Sequence, residues 1–151
     1  MKRTIVSGYF NPLHGGHLDM IENAKTMGDY LIVIVNNDVQ AVMKKGKVIL
    51  DETNRMRLMQ ALRDVDEVIL SIDNDSGQAQ TLRSIREKYP NDELIFANGG
   101  DRDPGKHDLP DDEKQVCRDC NIQTVFGIGS NEVEKRDSST RINQAMGSEV
   151  I

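Results

Sequence analysis

Residues 2–18 read Lys-Arg-Thr-Ile-Val-Ser-Gly-Tyr-Phe-Asn-Pro-Leu-His-Gly-Gly-His-Leu. The start of this stretch, Lys2 to Ser7, suits a short buried strand. From His17 to Met27, Leu18, Ile21 and Ala24 fall on one helical face, and Gly28 stands where a helix can end. Between them runs a turn carrying Gly8, Pro12, Gly15, Gly16 and two of the three histidines of the chain. A strand, a glycine-rich turn and a helix make the first half of a βα unit.

The pattern repeats outward from there. Tyr30 to Val35 is a continuous apolar run rich in β-branched residues, as expected of a parallel strand covered on both faces. Residues 37–50 read as a loop holding Lys44, Lys45 and Lys47. A second helix is expected from Glu52 to Arg63, with Leu58, Ala61, Leu62 and Val65 inward. Strands are expected at Glu67–Ile72, Glu93–Ala97 and Ile122–Ile128, and helices at Gln78–Tyr89 and Asp112–Cys120. Asn98 to Pro110 is a Gly-, Asp- and Pro-rich loop, and a last helix is expected over Thr140–Met146, capped by Ser138 or Ser139. Alternating strands and helices predict a five-stranded parallel sheet with helices on both faces, in one domain spanning 1–151. Ligands of such sheets bind beyond the carboxyl ends of the strands.

Composition narrows the function. The chain has 151 residues, 37% hydrophobic and 29% charged, enough for a real core. Its net charge of −6 argues against general nucleic-acid binding. No apolar run approaches the roughly 20 residues that span a bilayer, and nothing near Met1 reads as a signal peptide, so a cytoplasmic protein is expected. The single Cys-x-x-Cys, Cys117 to Cys120, lacks the further ligands of a zinc site and reads as two thiols on one helix.

The turn from Gly8 to His17 carries the chemistry. A helix N-terminus there offers backbone N–H groups and partial positive charge to an anion. Glycines admit phosphates close to the backbone. His14 and His17 add directed donors able to stabilise charge on phosphate oxygens. The spacing is neither that of a Walker A loop nor that of the dinucleotide fingerprint.

With its His-x-Gly-His after Gly-x-Phe-x-Pro-x, the sequence resembles the nucleotidyltransferase superfamily of cytidylyltransferases and adenylyltransferases. It most resembles the bacterial glycerol-3-phosphate cytidylyltransferase branch, through residues 2–72, Gly99-Gly100-Asp101 and Ser138-Ser139-Thr140. The resemblance implies a Rossmann-like three-layer α/β/α fold. It also implies transfer of a nucleoside monophosphate from a triphosphate to a phosphorylated alcohol or sugar, with magnesium pyrophosphate leaving. CTP is the favoured nucleotide, ATP with a sugar phosphate or cofactor precursor the alternative, and a catalytically silent nucleotide-binding module a third reading. Mg2+ is expected to arrive on the triphosphate, with no metal site made by protein alone. A homodimer is the default from relatives.

The same resemblance assigns roles. His14, His17, Lys44, Arg55 and Arg63 are the catalytic candidates, with Lys45, Arg55 and Arg63 serving the acceptor phosphate. On an unbroken helix the eight-residue spacing of Arg55 and Arg63 leaves about 80° between them, so both can lean to one side. Gly8, Tyr9, Phe10, Gly16, Gly99, Gly100, Asp101, Ser138, Ser139 and Thr140 are the nucleotide-binding candidates. Three departures touch the substrate. Asn11 stands where cytidylyltransferases carry Asp, Val133 where a relative carries Arg, and the stretch from Arg102 to Pro110 is longer than its counterpart.

Overall fold

A computed structural model describes residues 1–99 and 109–128, with the backbone alone at Lys45. The expected roles of Gly100, Asp101, Ser138, Ser139 and Thr140, and the helix over 140–146, lie outside the described residues.

In chain order the elements are β1 (Lys2–Gly8), α1 (Gly15–Thr26), β2 (Tyr30–Val35), α2 (Asp38–Lys45), α3 (Glu52–Gln60), β3 (Glu67–Leu70), α4 (Ala79–Lys88), β4 (Glu93–Gly99), α5 (Asp111–Asp119) and β5 (Ile122–Ile128). The five strands form one sheet in the order β3-β2-β1-β4-β5. Every pairing is parallel, with Ile5 opposite Ile32 on one side and Phe96 on the other.

Side-chain alternation along the strands makes the layers. Ile5, Ile32, Ile34, Leu94 and Phe96 point to one face, where α4 and α5 supply Leu82, Ile85 and Val116. Val6, Leu31, Val33, Val35 and Ala97 point to the other, where α1 and α3 supply Ile21, Ala24 and Met59. Burying both faces is why β2 is apolar at every position rather than at every second one.

Four expectations change. Residues 37–45 are not loop: α2 lies there, with Asn37 and Gln40 in a reciprocal capping box and Gly46 closing it at φ 73°. Three of its four apolar residues, Val39, Val42 and Met43, face outward and only Ala41 is buried, so hydrophobic periodicity could not reveal it; its end signals could. The next helix, α3, stops at Gln60, and it buries Arg55 and Met59 while Leu58 faces out. On α1, Leu18 is likewise exposed, and Met20 joins Ile21 and Ala24 inside. Helix α1 ends at its cap Met27 with Gly28 directly after it, but Gly28 does not take the left-handed conformation of a glycine stop. A Cβ at Gly28 would lie 2.8 Å from the Lys2 carbonyl and from Thr4 Oγ1, so glycine is needed for close approach to β1.

Candidate functional site

Strand order reverses between β1 and β4, and the turn after β1 opens there. In a parallel α/β sheet this crevice is the ligand position. It is built from the Gly8–His17 turn, with Asn98 and Gly99 at the end of β4.

The histidines form a capping box. His14 is the N-cap of α1, and its Nδ1 accepts the Gly16 N–H at 3.1 Å. His17 Nδ1 accepts the His14 N–H at 3.3 Å. With the Nδ1 lone pair occupied by a backbone donor, the proton of a neutral ring sits on Nε2. The rings stack with centroids 3.8 Å apart and planes 28° from parallel. Burial, and then the neighbouring His14, pushes the His17 pKa down to about 3. His17 is therefore a neutral donor at neutral pH. The expectation of a bare helix N-terminus is corrected here: His14 takes up the Gly16 N–H, and the imidazole extends that donor outward.

Phe10 supports the pair. It is buried, sits at φ 50°, and meets the His17 ring edge-on at 4.9 Å. A Cβ on Gly8 would lie 2.7 Å from the Phe10 ring, so Gly8 leaves room for it. The Phe10 side chain thus belongs to the floor of the crevice. Tyr9 lies at the mouth, with Lys44 Nζ 5.6 Å from its ring centroid. Gly16 is buried in the first turn of α1, and Gly99 closes β4 opposite Ile128.

The two arginines separate. Arg55 is fully buried. Its Nε donates to the Leu50 carbonyl at 2.8 Å, and Nη1 to the Tyr9 and Asn36 carbonyls at 2.8 and 2.6 Å. Nη2 pairs with the Asp38 carboxylate at 2.7 Å. The guanidinium thus braces three loops and is not presented to a ligand in this conformation. Arg63 is exposed, past the end of α3 and three residues before Asp66, whose N–H bonds Leu31 near the start of β2. That is the end of the sheet opposite the crevice. The expected convergence of Arg55 and Arg63 fails because α3 spans the sheet from one end to the other.

Sequence reading missed the polar frame beneath the crevice. Asn11 is fully buried: its Nδ2 donates to the Lys47 carbonyl at 3.2 Å, and its Oδ1 accepts the Ile49 and Leu50 N–H groups at 2.9 and 3.0 Å. Gln40 is also fully buried and ties Asn36 and Asn37 to the carbonyls of Asp75 and Gly77. The capping spacing from Asn37 to Gln40 was the available signal for the second; Asn11 offered none besides its place in the motif.

A family model described as cytidylyltransferase-like matches residues 5–145. The chain belongs to the cytidylyltransferase-like family. Among its relatives, the FAD synthase of Archaeoglobus profundus is 41% identical over 142 residues, covering 94% of this chain and 84% of that protein. The glycerol-3-phosphate cytidylyltransferase of Bacillus subtilis is 39% identical over 135 residues, covering 89% and 96%. In structure the chain is similar to the lipopolysaccharide core biosynthesis protein of Thermoplasma volcanium, with a TM-score of 0.64, 28% identity, and 87% and 99% coverage. Membership brings a nucleoside triphosphate and a phosphorylated partner as the substrate classes. It does not separate cytidylyl from adenylyl transfer, since FAD synthases match as well as cytidylyltransferases do.

No helix among the described residues is long and apolar enough to cross a membrane. Among those residues no group of three His, Cys, Asp or Glu could hold a metal ion, and Cys117 and Cys120 are free thiols on and just after α5.

Proposed function

We propose that this protein moves a nucleoside monophosphate from a magnesium-bound triphosphate to the phosphate of a small acceptor. An acceptor phosphate oxygen attacks the α-phosphorus and forms the new P–O bond. The bond from that phosphorus to the α–β bridging oxygen breaks, and magnesium pyrophosphate leaves with the electron pair. No covalent intermediate with the protein is needed.

The observation that carries this reading is the stacked imidazole pair with both Nδ1 atoms engaged by backbone. It holds both rings at the helix start, and His17, whose pKa is pushed down to about 3, is a neutral Nε2–H donor fixed before any ligand arrives. Fixed donors aimed at developing charge cost no reorganisation during reaction, and losing one typically costs about 10²–10³ in rate. Neutral donors do not replace cations, however. Two unit charges about 4 Å apart repel by roughly 4 kcal/mol at an effective dielectric near 20. Lys44 at the mouth supplies opposing charge; the side chain of Lys45 lies outside the described residues. Magnesium belongs to the substrate in this scheme. Gly99, Gly100 and Asp101 are the proposed contacts for the nucleoside, and Ser138, Ser139 and Thr140 for the outer phosphates.

ATP with FMN is the first substrate pair, because FAD is FMN joined to AMP through a pyrophosphate and the Archaeoglobus profundus FAD synthase matches 94% of the chain. CTP with glycerol 3-phosphate is the second, supported by an equally extensive match. The test is pyrophosphate release with each nucleotide against each acceptor. Turnover with either pair, lost in His14→Ala, supports the transfer reading and fixes the nucleotide. Tight nucleotide binding with no turnover across a broad panel of phosphate monoesters would refute it in favour of a silent binding module.

A further inference from the structure

We infer that Lys47 is a phosphate-binding cation of the crevice and that Asn11 is the residue that positions it. The inference rests on the nucleotidyl-transfer reading of the same mouth and adds to it a ligand for the substrate's phosphate oxygens.

The argument starts from Asn11. It lies in the histidine turn, three residues before His14, and no part of it is exposed. All three of its side-chain bonds go to one segment, residues 47–50, 36 to 39 positions along the chain. Burying an amide is costly unless its donors and acceptors are met, and here one donor and a doubly used acceptor are met by a single strip of backbone. The strip is clasped again from the other side, where Arg55 Nε holds the Leu50 carbonyl while Nη1 holds that of Tyr9. Together these bonds close a ring: histidine turn, Asn11, residues 47–50, Arg55, and back to the turn at Tyr9.

Only Lys47 in this strip carries charge. Its carbonyl is fixed 3.2 Å from Asn11 Nδ2, and its side chain is exposed. Gly46, at φ 73°, ends α2 and turns the chain so that Lys47 leaves the helix. Among the described residues no carboxylate lies within ion-pair distance of Lys47 or Lys44, whereas Lys2, Lys25 and Lys88 each have one. An unneutralised ammonium group whose backbone is stapled to the imidazole turn suits an oxyanion bound over those imidazoles. The chemistry, a phosphate oxygen, is shared by the triphosphate and the acceptor monoester.

In this chain the amide is matched to that strip of backbone. Aspartate at position 11 could still accept from Ile49 and Leu50, but it has no proton to give the Lys47 carbonyl and would set two oxygens against each other. Serine would keep one weak bond.

The test reads binding without requiring turnover. Calorimetry with magnesium pyrophosphate, and separately with glycerol 3-phosphate and FMN, is run on the wild type, Lys47→Gln, Asn11→Ser, Asn11→Asp and the double variant Asn11→Ser/Lys47→Gln. Lys2→Gln, at the far end of β1, is the control. Lys47→Gln should weaken one class of ligand about tenfold with unchanged unfolding temperature. The class affected, pyrophosphate or monoester, tells which substrate Lys47 holds. Each Asn11 variant that folds should approach the same loss with Lys47 still present, and the double variant should be no weaker than Lys47→Gln alone, because positioning acts through the residue positioned. Unchanged affinity for all three ligands in Lys47→Gln overturns the proposal. So does an additive double variant, which would make Asn11 merely structural. Because pyrophosphate binding is measured directly, a protein that bound it through Lys47 yet transferred nothing would sink the transfer reading alone.

Discussion

Replacing Arg55 by methionine separates two accounts of that residue. If the guanidinium waits for a phosphate, Arg55→Met leaves folding intact and weakens substrate. The structure instead spends it on the protein. Three carbonyls, those of Tyr9, Asn36 and Leu50, lose charged donors at 2.6–2.8 Å, and the Asp38 carboxylate loses its partner at 2.7 Å. Removing one member of a buried pair typically costs about 3–5 kcal/mol. Asp38 is 36% exposed and can rehydrate, while Arg55 is 0% exposed, so the lower end applies, about 3 kcal/mol. Native domains hold only about 5–15 kcal/mol, so this is a large share. At roughly 2 kcal/mol per molar urea, the unfolding midpoint should fall by about 1.5 M. The melting temperature should drop by about 6–12 °C. Urea unfolding followed by circular dichroism, with no ligand present, measures it. A midpoint within about 0.3 M of wild type, with nucleotide binding lost, would refute the brace and restore the phosphate role.

Three further outcomes follow from the crevice and its supports. His14→Ala should cost about 1 kcal/mol of stability as a lost N-cap and about 10²–10³ in turnover as a lost donor, so kcat falls far more than urea resistance. Gly8→Ala pushes a methyl group into the Phe10 ring 2.7 Å away and should destabilise by about 1–3 kcal/mol, with a displaced His17 resonance in NMR spectra. His17 gives a pH signature. Its folded pKa, about 3, lies below the unfolded value near 6.5, so the unfolded chain binds the extra proton first. The stability it contributes is whole above about pH 6.5 and is lost as pH falls toward about 3. Chemical unfolding across that range should show the slope in wild type and a flatter one in His17→Asn; identical slopes would contradict the buried neutral ring.

Local chemistry determined much of this protein without help from the fold. The apolar run Tyr30–Val35, the alternation of strands with helices, and the histidines beside glycines at a strand–helix junction are signals carried by near neighbours in the chain. They sufficed for a parallel sheet, for β5 to the residue, and for the placing of His14 and His17 at the helix start. What failed were judgements that depend on distant partners. Arg55 and Arg63 are alike in sequence. Only the run of α3 along the sheet puts one beneath the crevice and the other at the far end. Asn11 looks like a turn residue until residues 47–50, brought back by α2 and its Gly46 cap, take up one donor and both acceptor positions of its amide. Charge and hydrogen-bonding capacity are written in a side chain, but whether they are spent on the protein or left for a ligand is settled by what the folded chain packs against them.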